Sequence, residues 1–137
     1  MDWIKAAVRR EKGLIADDCE ILREGPSYTV DTLLSLRERF ASNPLVLLMG
    51  ADAFLHLHSW NRWQQLIELA HIAVVARPGV DLVPSAETAA LLEGRKATTP
   101  DKLHAEPAGR WMQFDPPLLD ISSTRIRRLM RAGQSVR

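Results

Sequence analysis

The chain has 137 residues, 46% hydrophobic and 26% charged, with a formal net charge of +1. That length suits a single domain, residues 1–137, with a buried core. The near-neutral balance gives no global drive toward nucleic acid or an acidic membrane surface. Cys19 is the one cysteine, which excludes an intramolecular disulfide. With no signal peptide and no long apolar run, the expectation is a soluble cytoplasmic protein. Charge is nonetheless uneven: after Asp120 come five arginines (125, 127, 128, 131 and 137) and no acid.

In chain order, residues 1–12 read as a helix tail with Ile4, Ala7 and Val8 on one side. Residues 19–22 read as a short strand, with Cys19 as a packing residue, broken by Gly25-Pro26-Ser27. The spacing of Val30, Leu33, Leu34 and Phe40 predicts an amphipathic helix over Thr29–Phe40, stopped by Asn43-Pro44. Residues 45–49 form a continuous apolar run, as expected of a strand covered on both faces of a parallel sheet. A helix is expected over 61–69, a second buried strand over 72–76, and a helix over 85–92. Residues 94–109 read as a loop, 111–114 as a short strand, and 122–131 as the last helix. Strands alternating with helices argue an α/β fold with a mainly parallel sheet and flanking helices. In such sheets ligands bind beyond the carboxyl ends of the strands.

Three of those ends carry pointed chemistry. After the first apolar run comes Gly50-Ala51-Asp52, where glycine admits a ligand close to the backbone and a carboxylate can hold ribose hydroxyls. A plain turn with Asp52 as helix cap is the alternative. After the second comes Arg77-Pro78-Gly79, either a guanidinium over phosphate or a solvated turn arginine. The third strand leads through Pro116-Pro117 to Ile121-Ser122-Ser123-Thr124. Hydroxyl residues favour a helix start, whose free N–H groups and dipole attract anions. Arg125 and Arg127 add guanidinium forks suited to phosphate. A capped surface helix with a basic face uses the same residues.

Two further segments are candidates. Trp60 can stack on a flat ring, whereas Trp63, already inside a helix, fits the core. Pro26-Ser27-Tyr28-Thr29 precedes a helix and presents hydroxyls and N–H groups to a ligand, or else forms a capping box. His56-Leu57-His58 has no third ligand at metal-site spacing, and no metal site is expected.

Ile121-Ser-Ser-Thr-Arg-Ile-Arg127 matches the Ile-Ser-Ser-Thr-x-Ile-Arg signature of the nucleotidylyltransferase superfamily. Pro26–Thr29, Gly50–Asp52, Ser59-Trp60 and Arg77–Gly79 follow in the order of bacterial nicotinate-nucleotide adenylyltransferases, which the chain resembles from end to end. The resemblance implies a Rossmann-like fold. It also implies adenylyl transfer from ATP, with Mg²⁺ on the phosphates, to nicotinate mononucleotide, giving deamido-NAD and pyrophosphate. By the same resemblance Ser122, Ser123, Thr124 and Arg127 hold phosphates, Gly50 and Asp52 face ribose, and Arg77 sits near the nucleotide. Trp60 stacks on the nicotinate ring, and Tyr28 and Thr29 meet its carboxylate. No nucleic-acid or membrane partner is implied.

These enzymes also carry Gly-x-Phe-x-Pro-x-His-x-Gly-His on a first, central strand, and its histidines act on the phosphates. None of the chain's four histidines (56, 58, 71 and 104) opens a His-x-Gly-His. The resemblance is therefore to the later part of such a domain, without its first strands and with no catalytic histidine, so residues 19–22 and 45–49 are expected to expose unpaired edges and apolar faces. A chain of these residues alone is expected to be inactive in adenylyl transfer. A non-catalytic nucleotide-binding fragment and a nucleotidylyltransferase with another acceptor remain as alternatives.

Overall fold

The computed structural model describes residues 2–76, 81–116 and 123–134. Its centre is a parallel sheet of three strands, β1 (Val46–Gly50), β2 (His71–Val75) and β3 (Trp111–Phe114), in that order. Gly50 pairs with Val75 and Val75 with Phe114, so the three carboxyl ends lie abreast. The helices are α1 (Asp2–Val8), α2 (Thr29–Phe40), α3 (Ala51–Leu55), α4 (Trp63–Leu69), α5 (Ala86–Leu92), α6 (Asp101–His104) and α7 (Ser123–Arg131), with a 3-10 turn at Leu57–Ser59. No described helix is long and apolar enough to cross a membrane.

The core gathers where helices cover β2. Val30 and Leu33 of α2, Leu66 and Ile67 of α4, and Phe54 of α3 pack with Met49, Ile72 and Val74. The central strand buries both faces, as the apolar run predicts. β1 does not: Val46 and Leu48 are 48% and 65% exposed, and only Met49 is buried. Among the described residues β1 is an edge strand, and its alternating burial shows that one face alone is covered.

The expected strand at 19–22 is a turn. Its amides are satisfied locally: Cys19 N–H donates to Asp17 Oδ1 at 3.0 Å, and the N–H groups of Ile21 and Leu22 donate to the Asp18 carbonyl. An aspartate that captures the amide two residues on competes with strand pairing, and Asp17 does so here. α1 forms, but no residue in it is buried. The helix expected from 61 begins at Trp63, and the loop expected over 94–109 contains α6. Ser85 caps α5 by accepting the Thr88 N–H.

Three side chains pin the connections. Arg37 of α2 donates to four carbonyls: Leu69 at 2.7 Å, Asn43 at 2.6 Å, Ala41 at 3.0 Å and Pro107 at 2.5 Å. One guanidinium thus ties the ends of α2 and α4 to the loop before β3. An Arg37→Met substitution keeps the stem and removes every donor. We expect it to lower unfolding free energy by about 2 kcal/mol, because the freed carbonyls are only partly able to find water. A fall in the urea midpoint with an unchanged m-value checks this. His71 is fully buried; its Nδ1 accepts from Arg110 N–H at 3.1 Å and its Nε2 meets the Glu106 carbonyl at 2.8 Å. The two contacts fix the orientation of the ring between the Glu106 carbonyl and the Arg110 amide.

The third pin is Asp17. Arg39 hydrogen-bonds its carboxylate at 2.7 Å, and with the Cys19 amide this holds the Asp17 pKa down from 3.8 to about 2. A depressed carboxylate pKa contributes stability that is present above the ordinary value and lost as pH falls toward the depressed one. Asp17→Asn should therefore flatten the acid-side stability profile between pH 3.8 and about 2, measured by thermal unfolding against pH. The same carboxylate pushes the Cys19 thiol pKa up, the reverse of an activated nucleophile.

Candidate functional site

Tyr28 stands at the N-cap of α2 in extended conformation and offers no side-chain cap. Ser27, the neighbouring hydroxyl, donates instead to the Glu20 carbonyl at 3.1 Å, and Thr32 donates to the Glu20 carboxylate at 2.7 Å. The capping-box alternative is thus not realised. The hydroxyls hold the 20–27 turn onto α2 and leave the helix start open.

Facing that start is the segment after the 3-10 turn. Ser59 Oγ is turned onto the His56 carbonyl at 2.7 Å, and Trp60 leaves the turn in extended conformation. Ser27, Tyr28 and Thr29 on one side and Ser59, Trp60 and Asn61 on the other line an open pocket of about 290 Å³. Two segments thirty residues apart, read separately in the sequence, meet here. The pocket lies near the lower end of the range for small-molecule sites, a size for one ring system. Trp60 is half-buried and packs in part against the core, and Tyr28 is 42% exposed.

Gly50 caps α3 with its backbone and is exposed at the carboxyl end of β1. A Cβ built there meets nothing within 4 Å, so the approach to this backbone is open. Asp52 is not the cap: it sits in the first turn of α3, exposed, beside the strand end where a ligand is expected. α7 begins at Ser123, and Thr124 and Arg127 in its first turns are exposed. Arg77 and Ser122 lie outside the described residues, as does the side chain of Ser123. Among the described residues no group of three or more His, Cys, Asp and Glu side chains is arranged to hold a metal ion.

Sequence reasoning missed Asn61 as a pocket wall and missed the ion pair beneath it, between Arg62 of the Trp60 segment and Asp31 of α2. Asp31 reads as an ordinary first-turn acid. The pair depends on a left-handed backbone at Arg62, with φ 49°, that no local residue pattern announces.

Residues 1–129 match the family model described as cytidylyltransferase-like. The chain belongs to the cytidylyltransferase-like family. Among curated relatives in that family, a probable nicotinate-nucleotide adenylyltransferase of Marinobacter nauticus is 44% identical over all of this chain and 64% of its own length. Its namesake in Methylococcus capsulatus is 42% identical over 91% of this chain and 60% of its own length. That of Aeromonas salmonicida is 40% identical over 98% and 63%. The chain therefore spans less than two thirds of these relatives. A solved structure, Plasmodium falciparum nicotinic acid mononucleotide adenylyltransferase complexed with APC, superposes with a TM-score of 0.58 at 12% identity, over 98% of this chain and 62% of that one. That likeness establishes the α/β nucleotidylyltransferase fold.

Proposed function

We propose that this cytidylyltransferase-like chain is the acceptor-binding part of a nicotinate-nucleotide adenylyltransferase, residues 1–137 belonging to one nucleotidylyltransferase domain. The observation that carries the reading is the pocket between Tyr28 and Trp60. Its chemistry suits nicotinate mononucleotide. A pyridine ring stacks on the Trp60 indole, and its carboxylate meets the uncapped start of α2, where Tyr28 and Thr29 bring N–H groups and the positive dipole end. The names of the relatives favour the same acceptor.

ATP would lie along the strand ends, with Gly50 and Asp52 at ribose and Arg77 near the nucleotide. Ser122, Ser123, Thr124 and Arg127 would meet the phosphates at the start of α7. Mg²⁺ would come on those phosphates and neutralise charge on the leaving pyrophosphate. This chain's own residues bind and orient: they hold the acceptor phosphate where it can attack the α-phosphorus in line. No His-x-Gly-His occurs in the 137 residues, so they supply none of the histidine contacts of the related enzymes.

Calorimetry on the chain tests the acceptor. Nicotinate mononucleotide should bind more tightly than nicotinamide mononucleotide, whose neutral amide gains less from a helix start. Equal affinities, or none, would remove the acceptor assignment. A parallel assay with ATP, Mg²⁺ and nicotinate mononucleotide should yield no deamido-NAD from the 137-residue chain. Turnover by it would show that the family histidines are dispensable.

A further inference from the structure

We propose that Arg62 is a positioning residue for the pocket between Tyr28 and Trp60, acting through its ion pair with Asp31. Among the described residues Arg62 is the one non-glycine in the left-handed region, with φ 49° and ψ 38°. An L-residue is strained in that region and glycine is not, which directs attention to what the Arg62 side chain does there. That side chain spans the two walls. Its Nη2 donates to Asp31 Oδ1 in the first turn of α2, two residues beyond Thr29, and its Nε donates to Asn61 Oδ1 at 3.1 Å. Asn61 and Thr29 both line the pocket, one from each of its two segments. One guanidinium therefore sets the separation between the helix start and the Trp60 indole.

The pair has a second effect at the same place. Asp31 puts a negative charge beside a helix start that is otherwise attractive to anions, and Arg62 cancels it. Both side chains are partly exposed, at 43% and 28%, so the pair adds little to folding and its effect falls on pocket geometry and charge. The nature of the ligand rests on the acceptor reading above; the positioning of Trp60 does not.

The test uses the 137-residue chain labelled with 5-fluorotryptophan, which gives one ¹⁹F resonance for each of its four tryptophans; Trp60→Phe assigns that of Trp60. Arg62→Gly removes the side chain and relieves the backbone. It should leave the thermal midpoint unchanged or raised, move the Trp60 resonance, and weaken nicotinate mononucleotide about tenfold. Asp31→Asn should move the same resonance, and the double variant should bind no more weakly than the weaker single. Arg62→Lys, which keeps the charge, should recover part of the affinity. An unmoved Trp60 resonance with wild-type affinity in Arg62→Gly would overturn the proposal, as would strictly additive single effects. Affinity that falls only as far as the thermal midpoint falls would also overturn it. If the wild-type chain binds no nicotinate mononucleotide, the acceptor reading fails and the Trp60 resonance alone decides the positioning.

Discussion

Replacing Phe54 with alanine lowers the unfolding free energy by about 3–5 kcal/mol. Phe54 is fully buried and stacks on Trp111 with ring centroids 5.4 Å apart and planes 23° apart. It is the one buried residue of α3, a five-residue helix with little intrinsic stability of its own. Truncation leaves a cavity that neither the sheet nor α4 can fill without shifting, and it removes the contact that joins α3 to β3. Domains of this kind are stable by only about 5–15 kcal/mol, so the variant approaches its limit at room temperature. Urea unfolding followed by near-ultraviolet circular dichroism reads the loss directly. Phe54→Leu, which refills most of the volume, should recover more than half of it. A Phe54→Ala cost under about 1 kcal/mol would mean that α3 is not anchored through this ring.

The second large effect falls on the pocket. Trp60→Ala should weaken nicotinate mononucleotide about 10–100-fold, since stacking of a flat heterocycle on an aromatic side chain is worth about 1–3 kcal/mol and each 1.4 kcal/mol is tenfold. Trp60→Phe keeps a stacking face and should lose less than about tenfold. Because Trp60 also packs against the core, the phenylalanine variant is the control for stability. Calorimetry against nicotinate mononucleotide and against ATP separates the two roles: the first affinity should fall and the second should stay. Equal losses for both ligands would place Trp60 in the fold and remove it from the acceptor site.

These two residues also mark how far the sequence could be read. Trp60 was legible because an aromatic next to a turn, between a strand end and a helix, has few structural uses. Phe54 was not, because α3 is too short to show a helical period. The Thr29–Phe40 helix was legible to the residue, its apolar spacing and the Asn43-Pro44 stop both being local signals. Residues 19–22 were misread because an apolar pair beside a cysteine looks like a strand, while the side chain that captures the Cys19 amide belongs to Asp17. The apolar run of β1 by itself suits a strand covered on both faces, whereas the resemblance to a domain with a further central strand implies an exposed edge and apolar face. The second expectation holds, with β1 an edge strand among the described residues and Leu48 65% exposed.

By itself the sequence determined the alternation of strands and helices, the polar residues at the strand ends, and the signature from Ile121 to Arg127 by which the chain resembles nucleotidylyltransferases. Those are local matters, set by periodicity, turn residues and the chemistry of individual side chains. The tertiary structure decided the rest: that Tyr28 and Trp60 share one pocket, that Asp52 stays free of capping, and that Arg62 spans from Asn61 to Asp31. The first and third are contacts created when α2 and α4 pack together, and the second follows from Gly50 taking the N-cap of α3. No spacing within one segment encodes the distance between two.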